Sequence, residues 1–102
     1  MSKSIADYCD ENGNIDKEKL ISLFNFPCEN KREILNYLKS RKHEIFYSSA
    51  SIIDVISSEK VSMPIFTVKN DDYIWDSEDI YYFEKYDMKL NEDFLSFIKT
   101  RL

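Results

Sequence analysis

Residues 73–90, YIWDSEDIYYFEKYDMKL, alternate aromatic rings with carboxylates almost residue by residue, and the way this stretch divides decides the fold. Tyr73-Ile74-Trp75 has the aromatic and β-branched make-up of a half-buried strand. Asp76 and Ser77 then supply side-chain oxygens of the kind that start helices. From there the period changes. With Ile80 at 0° on a helical wheel, Phe83, Tyr86 and Tyr82 fall at about 300°, 240° and 200°, a broad apolar half. Tyr81, Glu84 and Lys85 lie opposite and are expected to face solvent. A strand running straight into an amphipathic helix accounts for most of the rings as core, with Trp75, Phe94, Phe97 and Ile98 as their neighbours.

The same apolar spacing recurs in Leu20-Ile21-x-Leu23-Phe24, Ile34-Leu35-x-Tyr37-Leu38 and Phe94-Leu95-x-Phe97-Ile98. Positions i, i+1, i+3 and i+4 share one helical face, so the chain is predicted to hold four helices. Asp16, Asn30 with Glu33, Asp76 or Ser77, and Asn91 stand at their starts as caps, and Pro27 separates the first two. Between the second and third helices, Ile45-Phe46-Tyr47, Val61 to Val68 and Tyr73-Ile74-Trp75 read as three strands. The turn Lys69-Asn70-Asp71-Asp72 closes one antiparallel hairpin, and Ser57 to Lys60 is placed to close another. Pro64 lacks a ladder donor and marks an edge or a bulge. Ile52-Ile53-Asp54-Val55-Ile56 suits either helix or strand. The expected fold is α+β: two N-terminal helices, a three-stranded antiparallel meander, and two C-terminal helices packed on the sheet.

At 102 residues, 43% of them hydrophobic, the chain supports one core and one domain spanning 1–102. A single glycine leaves no Gly-rich loop for a phosphate. No apolar run reaches the roughly 20 residues that span a bilayer, and residues 1–12 lack a signal-peptide core, so a cytoplasmic protein is expected. Cys9 and Cys28 have neither CxxC spacing nor a histidine motif beside them, which leaves metal and redox sites unsupported. Cys28, His43 and Asp54 would make a nucleophile, base and orienter only if the fold joined them. The stretch Asp10 to Leu20 resembles an EF-hand loop around Gly13, but Tyr8 and Lys19 occupy the first and twelfth positions, where carboxylates belong. It is expected to be a polar turn leading to a helix capped by Asp16.

The net charge of −5 is uneven: residues 1–30 carry −3, residues 31–69 carry +3, and residues 70–102 carry −5. The acidic final third would repel a phosphate backbone, which disfavours direct nucleic-acid binding and favours a basic protein partner. Asp71, Asp72, Asp76, Glu78 and Asp79 exceed what capping requires. They read either as a solvated face or as one negative patch that steers a cationic protein. Their polar surroundings argue against a carboxylate pair doing acid/base catalysis.

Taken together, Ile34-Leu35-Asn36-Tyr37-Leu38-Lys39-Ser40, the block Tyr73 to Tyr86, and Leu90-Asn91-x-Asp93-Phe94-Leu95 resemble small bacterial immunity proteins encoded beside contact-dependent-inhibition and other polymorphic toxins. Those carry an ILxYLxSG helix and a TDGxYxWxxDLxYYVEKYxxxLPxEF block. The likeness spans roughly residues 30–98. Arg41 stands for the family's glycine, Asn70-Asp71-Asp72 for its TDG turn, and Asn91 for its proline. The resemblance implies a protein with no catalytic residues and no cofactor that neutralises a cognate toxin domain, often a nuclease, by covering its active site. Because each such protein matches a different toxin, contact residues do not carry over. The charge pattern nominates Asp71, Asp72, Asp76, Glu78 and Asp79, with Tyr81 as an anchor, and Asp7, Asp10 and Glu11 as a competing surface. The alternatives are a regulatory or adaptor module with a non-toxin partner, and a small enzyme using Cys28 or a carboxylate pair.

Overall fold

The computed structural model describes residues 3–41, 43–47 and 51–102, the stretch 43–47 as backbone alone. The elements in chain order are β1 (Lys3–Ser4), α1 (Lys17–Ser22), α2 (Lys31–Ser40), β2 (His43–Tyr47), β3 (Ser51–Ile53), β4 (Lys60–Ser62), β5 (Ile65–Asn70), β6 (Tyr73–Asp76), α3 (Ser77–Tyr86) and α4 (Glu92–Lys99). The class is α+β as expected. Strands β2, β5 and β6 pair antiparallel with β5 in the middle, but the expected meander is matched only in part, since β3 and β4 intervene between β2 and β5 and β1 adds a short parallel edge to β6.

The second expected strand does not run unbroken from Val61 to Val68. It splits at Met63-Pro64, where the proline cannot donate to a ladder. Its first part, β4, pairs instead with β3 in a separate two-stranded sheet, so the ambiguous apolar run at 52–56 begins as a strand. The hairpin between β5 and β6 turns on Asp71-Asp72, with Asp71 at φ 55°. Tight hairpin loops ask for a positive φ at that position, and Asp tolerates it.

The helices build the core on one sheet face. Val68 and Trp75 lie opposite each other across β5 and β6, both fully buried. The Trp75 ring sits 6.3 Å from Tyr37 of α2 and 5.8 Å from Phe94 of α4, and its indole N–H donates to the Leu38 carbonyl at 3.1 Å. Ile80, Tyr82 and Phe83 of α3 are buried as the helical wheel requires. In α1 the expectation fails in part: Leu20 is buried, but Ile21 is exposed. The helix ends at Ser22, so Phe24 reaches Tyr86 from the turn beyond, stacking at 4.5 Å with the rings 6° from parallel. No helix among the described residues is long and apolar enough to cross a membrane.

Two expected caps are corrected. Asn30 adopts the left-handed conformation at φ 60° and its side chain makes no cap bond. Asn91 makes none either; its amide donates to the Ser4 carbonyl at 3.1 Å and its backbone N–H to the Ile5 carbonyl at 2.8 Å. Those bonds fasten the N-terminal segment, whose Ile5, Ala6 and Tyr8 are all buried. Asn91→Ala should therefore lower stability by about 1 kcal/mol, the weight of one hydrogen bond. Hydrogen exchange at residues 3–6 should rise more than at α2, and equal rises would reject the clasp.

Candidate partner-binding surface

The five acids nominated as one patch are divided by β6. Asp71 and Asp72 lie in the hairpin turn, while Asp76 caps α3 at the other end of the strand, about 13 Å away at the usual rise per residue. At the turn, Asp71 is ion-paired with Arg101 at 3.1 Å, both half exposed, and such surface pairs contribute little. Lys3 approaches Asp93 at 3.9 Å, and the Tyr73 hydroxyl donates to Asp93 at 3.2 Å. This end is charge-balanced by its neighbours.

The α3 end is different. Asp76 accepts from the Asp79 N–H at 3.0 Å, and Asp79 accepts from the Asp76 N–H at 3.0 Å, a reciprocal capping box. Asp79 is buried and accepts a hydrogen bond from the Tyr8 hydroxyl, so it supports the surface from beneath and is no part of it. Burial first, then the charge of Asp76, pushes its carboxyl up to about 8. Burial and Asp76 also raise Glu78. Cys9 feels burial first and then Asp79, Asp76, Glu78 and Asp10, and its thiol is raised.

The Tyr8–Asp79 hydrogen bond brings the N-terminal turn, nominated as a competitor, to the start of α3. The EF-hand-like stretch is indeed a polar turn. One Asp10 oxygen accepts from the Asn12 and Asn14 amides at 2.9 and 3.0 Å, Gly13 takes φ 82°, Cys9 bridges to Ile15, and Asp16 caps α1. Among the described residues, Asp10, Glu11, Asp76 and Glu78 make no ion pair, and no three His, Cys, Asp or Glu side chains are arranged to hold a metal ion.

Tyr81 is the clearest correction. It was expected to face solvent, but it is half buried and its hydroxyl donates to Asp54 at 2.6 Å. Asp54, which the sequence left inside an ambiguous apolar run, is fully buried. It also accepts from Tyr86 at 2.7 Å and from the Ile56 and Ser57 amides at 2.8 and 3.0 Å, with Lys85 at 3.6 Å. Burial pushes the carboxyl up, but the bonds from Tyr81, Tyr86, Ser57 and Ile56 outweigh it and hold the group below the ordinary carboxylate range. The Tyr82 hydroxyl accepts from the Val55 amide at 3.1 Å. Asp54 thus pins the β3–β4 hairpin to α3, with both oxygens engaged. Of the Cys28, His43 and Asp54 grouping, the His43 side chain lies outside the described residues; Cys28 sits half buried beside Phe26, Leu95 and Lys99, and Asp54 is engaged by Tyr81 and Tyr86. Tyr81 also lines an apolar groove of about 340 Å³ with Met63, Pro64, Phe66 and Ile80, rimmed by the Lys39–Glu84 pair at 3.2 Å.

Comparison with family models, with curated proteins and with solved structures finds no match to this chain.

Proposed function

We propose that the chain is an immunity-type protein that neutralises a cognate toxin domain, of the nuclease kind, by stoichiometric binding over its basic cleft. The binding face is the end of the molecule where Asp10, Asp76 and Glu78 come together, with Glu11 following Asp10 in the turn. One observation carries this reading: the Tyr8–Asp79 hydrogen bond brings the N-terminal turn to the start of α3, where Asp10, Asp76 and Glu78 make no ion pair among the described residues and Lys19 reaches only the Cys9 carbonyl, at 3.4 Å. The turn and the capping box hold Asp10 and Asp76 in place, so little side-chain entropy is lost when a partner docks. A fixed negative surface speeds encounter with a basic cleft and competes there with a phosphate backbone. Of the hairpin acids, Asp71 is paired with Arg101, which leaves Asp72 as a secondary negative position. Asp79 and Tyr81 act from below as supports.

The test is association kinetics with the variable C-terminal domain of the toxin encoded beside this chain. Glu11→Lys combined with Glu78→Lys should slow association by about tenfold or more at low salt, flatten the salt dependence, and remove protection in cells. Asp71→Lys with Asp72→Lys should cost less. Parent-like rates and protection in the folded Glu11/Glu78 variant would overturn the acidic-end assignment. A neighbouring product that is no toxin, yet binds, would favour the adaptor reading.

A further inference from the structure

The basic middle third of the sequence has a counterpart in space that the acidic end does not use. An open cavity of about 440 Å³ lies where α2 ends against β5, lined by Ser40, Arg41, Val68, Lys69 and Asn70. Arg41 is held rigidly in it. Its guanidinium lies over the Tyr37 ring at 4.4 Å and donates to the Ser40 hydroxyl at 3.1 Å. Ser40 is itself fixed by a bond to the Tyr37 carbonyl at 3.1 Å. The Tyr37 hydroxyl accepts from the Asn70 amide at 2.6 Å, and the Tyr37 ring packs 6.3 Å from buried Trp75. The platform is therefore continuous with the core. Stacked, hydrogen-bonded guanidinium has lost its rotamer freedom before any ligand arrives.

The charge pattern points the same way. Lys3, Lys31, Lys39, Lys85 and Arg101 each lie within ion-pairing distance of a carboxylate. Among the described residues Arg41 and Lys69 have no such partner; Lys17, Lys19, Arg32, Lys60, Lys89 and Lys99 have none either, and what sets Arg41 and Lys69 apart is that they line one cavity together. Two cations sharing one cavity repel each other, and an anion between them removes that cost. Arg41 keeps most of its fork of N–H groups, Lys69 its ammonium donors, and Asn70 one amide N–H. Donors arriving from three residues suit a tetrahedral oxyanion with several acceptor oxygens better than a planar carboxylate with two. The cavity volume falls in the range of small-molecule sites.

We infer that the Arg41, Lys69 and Asn70 cavity is an oxyanion site that takes the phosphoryl group of a small phosphate monoester. It is separate from the acidic end and stands whether or not that end binds a toxin. The test is a titration of the whole protein with phenyl phosphate near neutral pH, followed by backbone and side-chain amide NMR, with sodium chloride at matched ionic strength as the reference. The expected result is a saturable shift centred on residues 40, 41, 69 and 70 and on the Asn70 side-chain amide. Arg41→Gln should weaken binding by about tenfold or more, the weight of one or two charge-assisted bonds. Arg41→Lys should recover only part of the loss, because an ammonium has no fork. Arg41 is exposed, so both variants should fold as the parent does. Shifts reproduced by sodium chloride, or undiminished by Arg41→Gln, would overturn the site. So would shifts seen only with an oligonucleotide, which would mark a polyanion surface.

Discussion

Replacing Asp54 with alanine should cost about 3 to 5 kcal/mol of folding stability, in the range seen when a buried charged group loses its partners. Four donors converge on this carboxylate, two phenols and two backbone amides, and all of them would lose a buried acceptor and have to find new ones at a half-buried seam. Urea unfolding measures the loss. Asp54→Asn should recover part of it, because one oxygen still accepts while the new N–H₂ faces donors. Tyr81→Phe and Tyr86→Phe should each cost about 1 to 2 kcal/mol. A cost under about 1 kcal/mol for Asp54→Ala would mean that the hairpin is not pinned through this group. The sign of the acid dependence follows from the same geometry. The folded pKa lies below the unfolded value of 3.8, so the stabilisation is whole above that value and is lost as pH falls toward the folded one.

Asp79 should give the opposite slope, and a large one. Its folded pKa is raised to about 8 from 3.8. Between those values the folded state holds one proton more than the unfolded state, so stability falls as pH rises, by about 1.4 kcal/mol per unit while the difference is fully expressed. Below 3.8 both states are protonated, and above about 8 both are ionised, so the slope vanishes at each end. Asp79→Asn preserves the shape of the neutral acid. Its oxygen can accept from the Asp76 amide and its N–H₂ can donate to the Tyr8 hydroxyl. The variant should be flatter in Tm between these limits and more stable than the parent at the alkaline one. Parallel Tm curves for parent and variant would reject the assignment. The two aspartates thus pull in opposite directions about their shared unfolded value of 3.8, Asp54 losing its contribution below it and Asp79 above it.

The contrast between these two groups shows what a linear reading of the chain resolves. The block from Tyr73 to Tyr86 was legible because period two gives way to period 3.6 within a few residues, and the burial of Trp75, Ile80, Tyr82 and Phe83 follows from that change alone. The Asp76 cap was legible for the same local reason. Asp54 and Tyr81 were not, because the hairpin that covers one face of α3 comes from a different part of the chain; a helical wheel has no knowledge of what arrives from elsewhere. The strand β1 was invisible because two residues cannot display a period, and Tyr8 because its partner lies 71 positions away. Caps at Asn30 and Asn91 had the right side chains in the wrong backbone or with a better acceptor in reach. The spacing of the acids was not legible for a geometric reason: the run from Asp71 to Asp79 contains an extended strand that separates its ends, while the Tyr8–Asp79 bond joins segments far apart in sequence.

The clasp at the N-terminal segment carries an implication for how the molecule comes into being. Lys3 and Ser4 pair with Tyr73 and Ile74, and Asn91 bonds back to Ser4 and Ile5. Contacts of such long loop closure form late, since their entropy must be met before they reward it. During synthesis residues 3–8 thus wait, apolar side chains unsheltered, until Asn91, 87 positions beyond Ser4, has been made. A nascent chain stalled before Asn91 would lack the latch that seats Tyr8 beneath α3 and, with it, the acidic end in finished form.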